Sequence, residues 1–242
     1  MVMHLHVPIS RRLPRRGTPG FTLVEMLTVV GIIALLVALA TPTLVDVIRS
    51  TRLSSAGDSL LNRLSLAQQE AIARSREVEM RFYRYINPDS DRPTAQLFYA
   101  YQVVETPSGT DPVAISEPYY FDSGIVLSPQ PDLSPMLQTT ANQTKGPVSG
   151  TFVFQPGTGA GGDSVSYCAL RFYPDGSCRL LTKGQPGNTA AAQAIAYTIP
   201  PLNASFMTLV ESQSVDSPTM PPPNYYCIQI DAYTGKARIY RP

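Results

Sequence analysis

The hydrophobic pattern of this chain begins with an uninterrupted apolar run near the N-terminus. From Met26 to Val45, 20 consecutive residues carry no formal charge. Each helical residue advances about 1.5 Å, so the run is about 30 Å long, which is the thickness of the hydrocarbon core of a bilayer. The pattern therefore predicts a membrane-spanning helix over residues 21–45, which Pro42 is expected to bend rather than end.

The helical pattern continues after Val45, but it becomes amphipathic. Apolar residues recur at steps of three or four, which places them on one stripe of a helix. These residues are Leu53, Ala56, Leu60, Leu64, Ala67 and Ala71. We expect residues 46–77 to form the soluble half of the same helix, with this stripe packed on a sheet.

The period changes to two after Arg76, which is typical of strands. Val78, Met80 and Phe82 alternate with other residues and predict a first strand. A second strand is predicted over residues 96–104, and a further one over residues 119–127. On the second strand we expect one side to carry Leu97, Tyr99, Tyr101 and Val103.

Two hairpins are predicted near the C-terminal end of the sequence. The turn at 174–176 contains Asp-Gly, and a three-residue loop with Gly176 in the left-handed region sets the register of the flanking strands. The turn at 232–235 does the same for the second hairpin. The predicted opposite pairs are Phe172 with Cys178, Leu170 with Leu180, and Ile228 with Ile239. The elements together predict an α+β fold, in which a long N-terminal helix packs onto an antiparallel β-rich domain of residues 78–242.

Charge is distributed unevenly along the chain. Residues 1–20 hold four of the 19 basic residues and none of the 18 acidic ones, so the remaining chain is mildly acidic. A basic segment before an apolar helix predicts a cytoplasmic N-terminus and a C-terminal domain outside the membrane. This predicts an inner-membrane protein with one span and a periplasmic or extracellular domain.

The positions of the histidines and cysteines limit the chemistry that the chain can perform. His4 and His6 both lie in the basic leader, and no other histidine follows. Catalysis by Ser-His-Asp or Cys-His groups and a His-ligated zinc site are therefore excluded for the rest of the chain. We expect no enzyme, no metal and no cofactor. Small buried thiols or one disulfide are the alternatives for the three cysteines Cys168, Cys178 and Cys227.

The junction between leader and helix carries a specific motif. Gly20-Phe21-Thr22-Leu23-Val24-Glu25 follows the basic leader and precedes the apolar run. This arrangement resembles the N-terminal segment of type IV prepilins. The resemblance implies a pilin-like fold, cleavage after Gly20 by a prepilin peptidase, and N-methylation of Phe21. It also implies that Glu25, the fifth residue after cleavage, and Pro42 take part in assembly with other pilin-like subunits.

Two narrower families are also similar to this chain. The pattern at Leu64–Ile72, followed by Arg74, and the late hairpin Phe172–Gly176 resemble the GspH/FimT minor pseudopilins. The sequence segments 78–85, 171–177 and 228–242 resemble the Verru_Chthon cassette protein D family of prepilin-like proteins. These resemblances imply a structural minor pilin or pseudopilin of a type IV pilus or type II secretion system.

Two other functions are alternatives to a minor pilin or pseudopilin. Ala38-Leu39-Ala40 is a small-x-small sequence, so a signal peptidase that cuts after Ala40 would release a soluble domain. A DNA-uptake minor pilin would instead use a basic stripe on one of the two hairpins. The candidate stripes are Arg171, Arg179 and Lys183, or Lys236, Arg238 and Arg241. The bulk charge does not favour a nucleic-acid partner.

Overall fold

The computed structural model describes residues 20–105, 113–138, 141–144, 164–183, 196–216 and 221–242. Most of the predicted leader, residues 1–19, lies outside these residues. The chain divides into two compact units, residues 1–46 and 47–242.

One long helix, α1, runs from Leu23 to Arg74. Its assignment continues through Pro42, so that proline does not end the helix, as expected. Among the described residues, no helix of the structure is both long and apolar enough to cross a membrane. The predicted span of residues 21–45 is therefore not confirmed, and the side chains at 40–45, which complete its apolar run, lie outside the described ones.

Twelve strands are present in the described residues of the second unit. They are Val78–Ile86 (β1), Gln96–Glu105 (β2), Val113–Ala114 (β3), Tyr119–Tyr120 (β4), Ile125–Leu127 (β5), Ala141–Thr144 (β6), Ser164–Phe172 (β7), Cys178–Lys183 (β8), Ala196–Thr198 (β9), Phe206–Glu211 (β10), Tyr226–Ile230 (β11) and Ala237–Tyr240 (β12). Short 3-10 helices occur at Pro135–Leu137, Leu202–Ala204 and Ser212–Ser214. The predicted α+β class is confirmed.

The strands form one antiparallel sheet in the order β12-β11-β10-β5-β2-β1-β7-β8-β9. Strands β3 and β4 also pair with β2, and β6 pairs with β7. The predicted register of both late hairpins is confirmed, because Phe172 pairs with Cys178 and Ile228 pairs with Ile239. Gly176 has a φ of 84°, the left-handed conformation that its turn requires.

The first face of the sheet packs on the second half of α1. All six residues of the predicted apolar stripe are buried in this core, from Leu53 to Ala71. They meet Val78, Met80 and Phe82 of β1, together with residues of β2, β7 and β11. Burial of a large aliphatic side chain contributes about 1.5–3 kcal/mol, so this stripe is a main source of the stability of the unit.

Two strand predictions need correction. Tyr99 has no partner in β1, because Tyr83 pairs with Ala100 and Arg84 pairs with Phe98. This β-bulge shifts the alternation, so Leu97 and Tyr99 lie in the core of the second face whereas Tyr101 and Val103 lie in the core of the first face. They do not share one side, as the simple period of two predicted.

The predicted strand over residues 119–127 is two short strands, β4 and β5. Between them the chain turns at Gly124, whose φ is 85°, and the Ile125 nitrogen donates a hydrogen bond of 2.9 Å to the Asp122 carbonyl oxygen. A positive φ interrupts an extended backbone. The turn therefore divides the strand that the apolar pattern had suggested.

The two late hairpin turns meet at α1. The side-chain nitrogen of Gln68 donates a hydrogen bond of 2.9 Å to the Gly176 carbonyl oxygen and another to the Thr234 carbonyl oxygen. The Cys178 nitrogen donates directly to the Ala232 carbonyl oxygen at 2.8 Å. Since one turn follows β7 and the other follows β11, the sheet curls around the second half of the helix.

Candidate processing and assembly site

The predicted cleavage position lies at an exposed, open part of the first unit. Gly20 is exposed, and a β-carbon built on it has no heavy atom within 4 Å. Phe21 is 74% exposed. The described residues therefore leave the Gly20–Phe21 bond and the side chain beside it accessible to another protein.

Thr22 and Glu25 together begin helix α1. The Glu25 nitrogen donates to Thr22 Oγ1 at 3.2 Å, and the Thr22 nitrogen donates to Glu25 Oε2 at 3.3 Å. This reciprocal pair is a capping box, which satisfies backbone donors that the first turn of a helix leaves unpaired. The Thr-x-x-Glu spacing that produces this capping box is visible in the sequence.

The helix that follows exposes a continuous apolar surface. Every described side chain from Phe21 to Leu39 is exposed, including those of Leu23, Val30 and Leu36. An apolar surface of this extent is unfavourable in water and marks a site of interaction with protein or membrane. Pro42 continues the helix backbone, and its side chain lies outside the described ones.

In the first basic stripe, Arg171 is engaged within the domain, whereas Arg179 is exposed. Arg171 donates to Glu77 at 2.5 Å and to Glu79 at 3.1 Å, and its guanidinium lies 3.9 Å from the centre of the Tyr197 ring. Arg179 packs over Tyr173. The side chain of Lys183 lies outside the described ones. The guanidinium of Arg171 is therefore bound by residues of the domain itself and does not face a ligand.

The second basic stripe lies on the hairpin of β11 and β12. Lys236 and Arg238 are exposed, whereas the Arg241 guanidinium lies 5.5 Å from the centre of the Tyr226 ring. Gly57 of α1 also packs closely against that ring, and the Tyr226 hydroxyl donates to Asp58 at 2.6 Å. Binding of DNA at this stripe stays a prediction.

All three cysteines are free thiols in the structure. Cys168 and Cys178 are buried, and burial raises the pKa of each thiol to about 12. Cys227 is half-buried, and burial raises the pKa of its thiol as well. Thiols with raised pKa values are weak nucleophiles at neutral pH, so these side chains act as small hydrophobes.

A buried ionic network, which the sequence pattern did not predict, lies on the second face of the sheet. Glu79 is 1% exposed and Arg81 is 4% exposed, and Arg81 donates to the Glu79 carboxylate at 2.9 Å. Arg171 and the Tyr197 hydroxyl also donate to this carboxylate. Burial alone would raise the pKa of Glu79, but the two guanidinium groups and the tyrosine outweigh it and lower the pKa. Alternating charge on a strand normally indicates a solvated face, so the pattern gave no sign of this network.

Comparison with known proteins gives one match. A family model of the prokaryotic N-terminal methylation motif matches residues 15–41, which include Gly20, Phe21 and Glu25. No curated protein and no solved structure matches the chain. The matched segment is the one that holds the capping box and the exposed apolar helix, and it supports a type IV prepilin-like protein. The narrower resemblances to GspH/FimT and Verru_Chthon proteins stay predictions.

Proposed function

We propose that this chain is a structural minor pilin or pseudopilin, a subunit that is processed at its N-terminus and joins a type IV pilus or a type II secretion-like pseudopilus. The observation that carries the proposal is the match of the methylation motif to residues 15–41, a segment that includes the exposed apolar beginning of α1. An exposed apolar helix suits burial among other helices, and here the helix lies within the matched segment.

In this proposal a prepilin peptidase cuts between Gly20 and Phe21 and methylates the new terminal amine. Gly20 suits the cleavage position because it brings no β-carbon into the peptidase site. The apolar helix is held in the inner membrane before assembly, with the sheet domain outside, and later packs among the helices of neighbouring subunits. Pilin-like proteins and the peptidase are the partners.

Glu25 has the central role in assembly within this proposal. An isolated carboxylate inside a bundle of apolar helices is unfavourable, and a charged residue at bilayer centre costs about 2.5–3.5 kcal/mol on insertion scales. Pairing with the terminal amine of Phe21 on a neighbouring subunit offsets that cost and is strongest at one axial register. The carboxylate is exposed in the single chain, where only Thr22 contacts it in the described residues.

The mature N-terminus tests the proposal. Membrane fractions of the native host should yield a chain that begins with N-methylated Phe21, as measured by intact mass and N-terminal sequencing. A chain that begins at Thr41 would instead establish the alternative, a secreted soluble domain cut after Ala40. An uncut chain would overturn both readings.

A further inference from the structure

Strand β12 lies at one edge of the sheet and leaves one side of its backbone open. Among the described residues it pairs only with β11, and Ile239 and Tyr240 are 39% and 49% exposed. An edge strand with free N–H and C=O groups is a template on which another extended segment can add as a further strand.

The hydrogen bonds around β11 fix which groups of β12 point outward. The Asp231 nitrogen donates to the Lys236 carbonyl oxygen at 2.9 Å, whereas the Ile230 nitrogen donates away from β12 to the Ser205 carbonyl oxygen at 2.8 Å. Donor direction alternates along an antiparallel strand. The amides of Arg238 and Tyr240 therefore face β11, and those of Ala237 and Ile239 face outward.

The side chains of this edge are basic. Lys236, Arg238 and Arg241 belong to the strand and its flanks, and Asp231 is the one acidic residue between Tyr226 and Pro242. The oxygens of Asp231 are already held by the Tyr233 nitrogen at 3.0 Å and by the Thr234 hydroxyl at 2.9 Å. Like charges on paired strands repel, so a second basic edge is disfavoured and an acidic strand is favoured.

We propose that β12 is a docking edge for an extended acidic segment of another protein, which adds to the sheet as a strand beyond β12. The outward N–H and C=O groups of Ala237 and Ile239 supply the main-chain hydrogen bonds. Arg238 supplies the charge preference, and the exposed parts of Ile239 and Tyr240 give apolar contacts on the two faces of the added strand. The proposal stands on the geometry of the hairpin and does not depend on processing at Gly20.

Binding of short labelled peptides to the full-length protein in detergent, followed by fluorescence anisotropy, tests the proposal. A peptide that alternates aspartate with valine should bind, and the same pattern with lysine in place of aspartate should not. Arg238→Glu should lower the affinity for the acidic peptide by about tenfold or more, as expected when a charged interface pair becomes repulsive. Arg179→Glu, an exposed arginine of the other late hairpin, is the matched control and should leave binding unchanged.

Ile239→Pro tests the main-chain hydrogen bonds. Proline removes the outward N–H of residue 239 without removing an N–H that faces β11, and edge strands tolerate it at such positions. This variant should abolish peptide binding, and Ile239→Val should retain it. Equal binding of the acidic peptide to Ile239→Pro and to the unaltered chain would overturn strand addition, as would the absence of any binding.

Amide hydrogen exchange gives a measurement that does not depend on a variant that folds. In the free protein the amides of Arg238 and Tyr240 should be protected and those of Ala237 and Ile239 should exchange. The acidic peptide should protect the second pair. Protection unchanged by peptide would overturn the proposal. So would tight binding of duplex DNA that is lost in Arg238→Glu but kept in Ile239→Pro, because it would show the edge to be a nucleic-acid surface.

Discussion

Glu25 Oε2 accepts a hydrogen bond of 3.3 Å from the backbone nitrogen of Thr22, and in return Thr22 Oγ1 accepts one of 3.2 Å from the Glu25 nitrogen. Glu25 therefore has two separable properties, a cap that starts the helix and a charge that the proposed assembly requires. Both residues lie after Gly20, so the proposed cleavage would keep this pair in the mature subunit.

Substitutions at Glu25 separate the cap from the charge. Glutamine at this position keeps the capping box but removes the charge, whereas valine removes both. We expect Glu25→Gln and Glu25→Val to be cleaved normally and to be absent from sheared filaments, as measured by N-terminal mass and immunoblotting. Thr22→Ala is the control, because it weakens the cap by about 0.5–2 kcal/mol but keeps the carboxylate, and it should assemble. Normal incorporation of Glu25→Gln would show that the charge is dispensable.

Gly57 is required by the close packing of Tyr226 on helix α1. A β-carbon at residue 57 would lie 2.5 Å from three carbons of that ring. Gly57→Ala should therefore lower the free energy of unfolding by about 1–3 kcal/mol, the usual cost of overpacking, as measured by urea denaturation. Gly31→Ala is the matched control in the same helix, because its β-carbon meets nothing within 4 Å. An unchanged midpoint for Gly57→Ala would mean that the ring moves away without cost.

Glu79 should contribute stability that depends on pH. The native state holds the pKa of this carboxylate below its ordinary value, near 4.3 in peptides, so its contribution is complete above that pH and is lost as the pH falls through the native pKa. Glu79→Gln leaves Arg81 buried without its anion and should cost about 3–5 kcal/mol at pH 7. Its stability should also fall less on acidification below pH about 4.3 than that of the unaltered chain.

Denaturation midpoints measured at a series of pH values check this prediction. Glu117→Gln alters an exposed carboxylate and should follow the unaltered chain throughout. The stability of Glu79→Gln should still depend on acidic pH, because hydrogen bonds and attraction from Arg76 and Arg74 lower the pKa of Glu105 as well. Parallel curves for Glu79→Gln and the unaltered chain would show that Glu79 is not part of the acid response.

Gln68 joins two turns that are distant in sequence. Gln68→Ala removes the donor shared by the Gly176 and Thr234 carbonyl oxygens and should destabilise the domain by about 0.5–1.5 kcal/mol for each net hydrogen bond. Gln69→Ala changes the exposed neighbouring glutamine and should have little effect. Thermal or urea unfolding distinguishes the two variants, and equal midpoints would show that the two turns hold each other without the helix.

The cysteines should differ in reactivity between folded and unfolded protein. Because Cys168 and Cys178 are buried with thiol pKa values raised to about 12, they should resist maleimide labelling at neutral pH in the folded chain. All three thiols should react in denaturant, as counted by mass spectrometry. Rapid labelling of Cys168 in the folded chain would contradict the burial. A mass lower by two hydrogens before reduction would instead indicate the single disulfide that the sequence left as an alternative.

The sequence by itself determined those features that depend on neighbouring residues. Three- and four-residue spacing of Leu53 to Ala71 predicted the buried stripe of α1, because helical geometry alone brings those positions to one side. The Asp-Gly turn at 175–176 predicted the register of its hairpin because only a glycine adopts that turn without strain. The motif at Gly20–Glu25 was likewise recognisable from the order of its residues.

Only the tertiary structure decided the features that join distant parts of the chain. The bulge at Tyr99 moved half of β2 to the second face, and Gly124 divided a predicted strand. Glu79 became buried because Arg171 and Tyr197, from other strands, complete its hydrogen bonds. A local pattern records whether a side chain is polar, but not whether partners more than 90 residues away will satisfy it. Burial of a charge depends on those partners, so it is settled only when the whole sheet has formed.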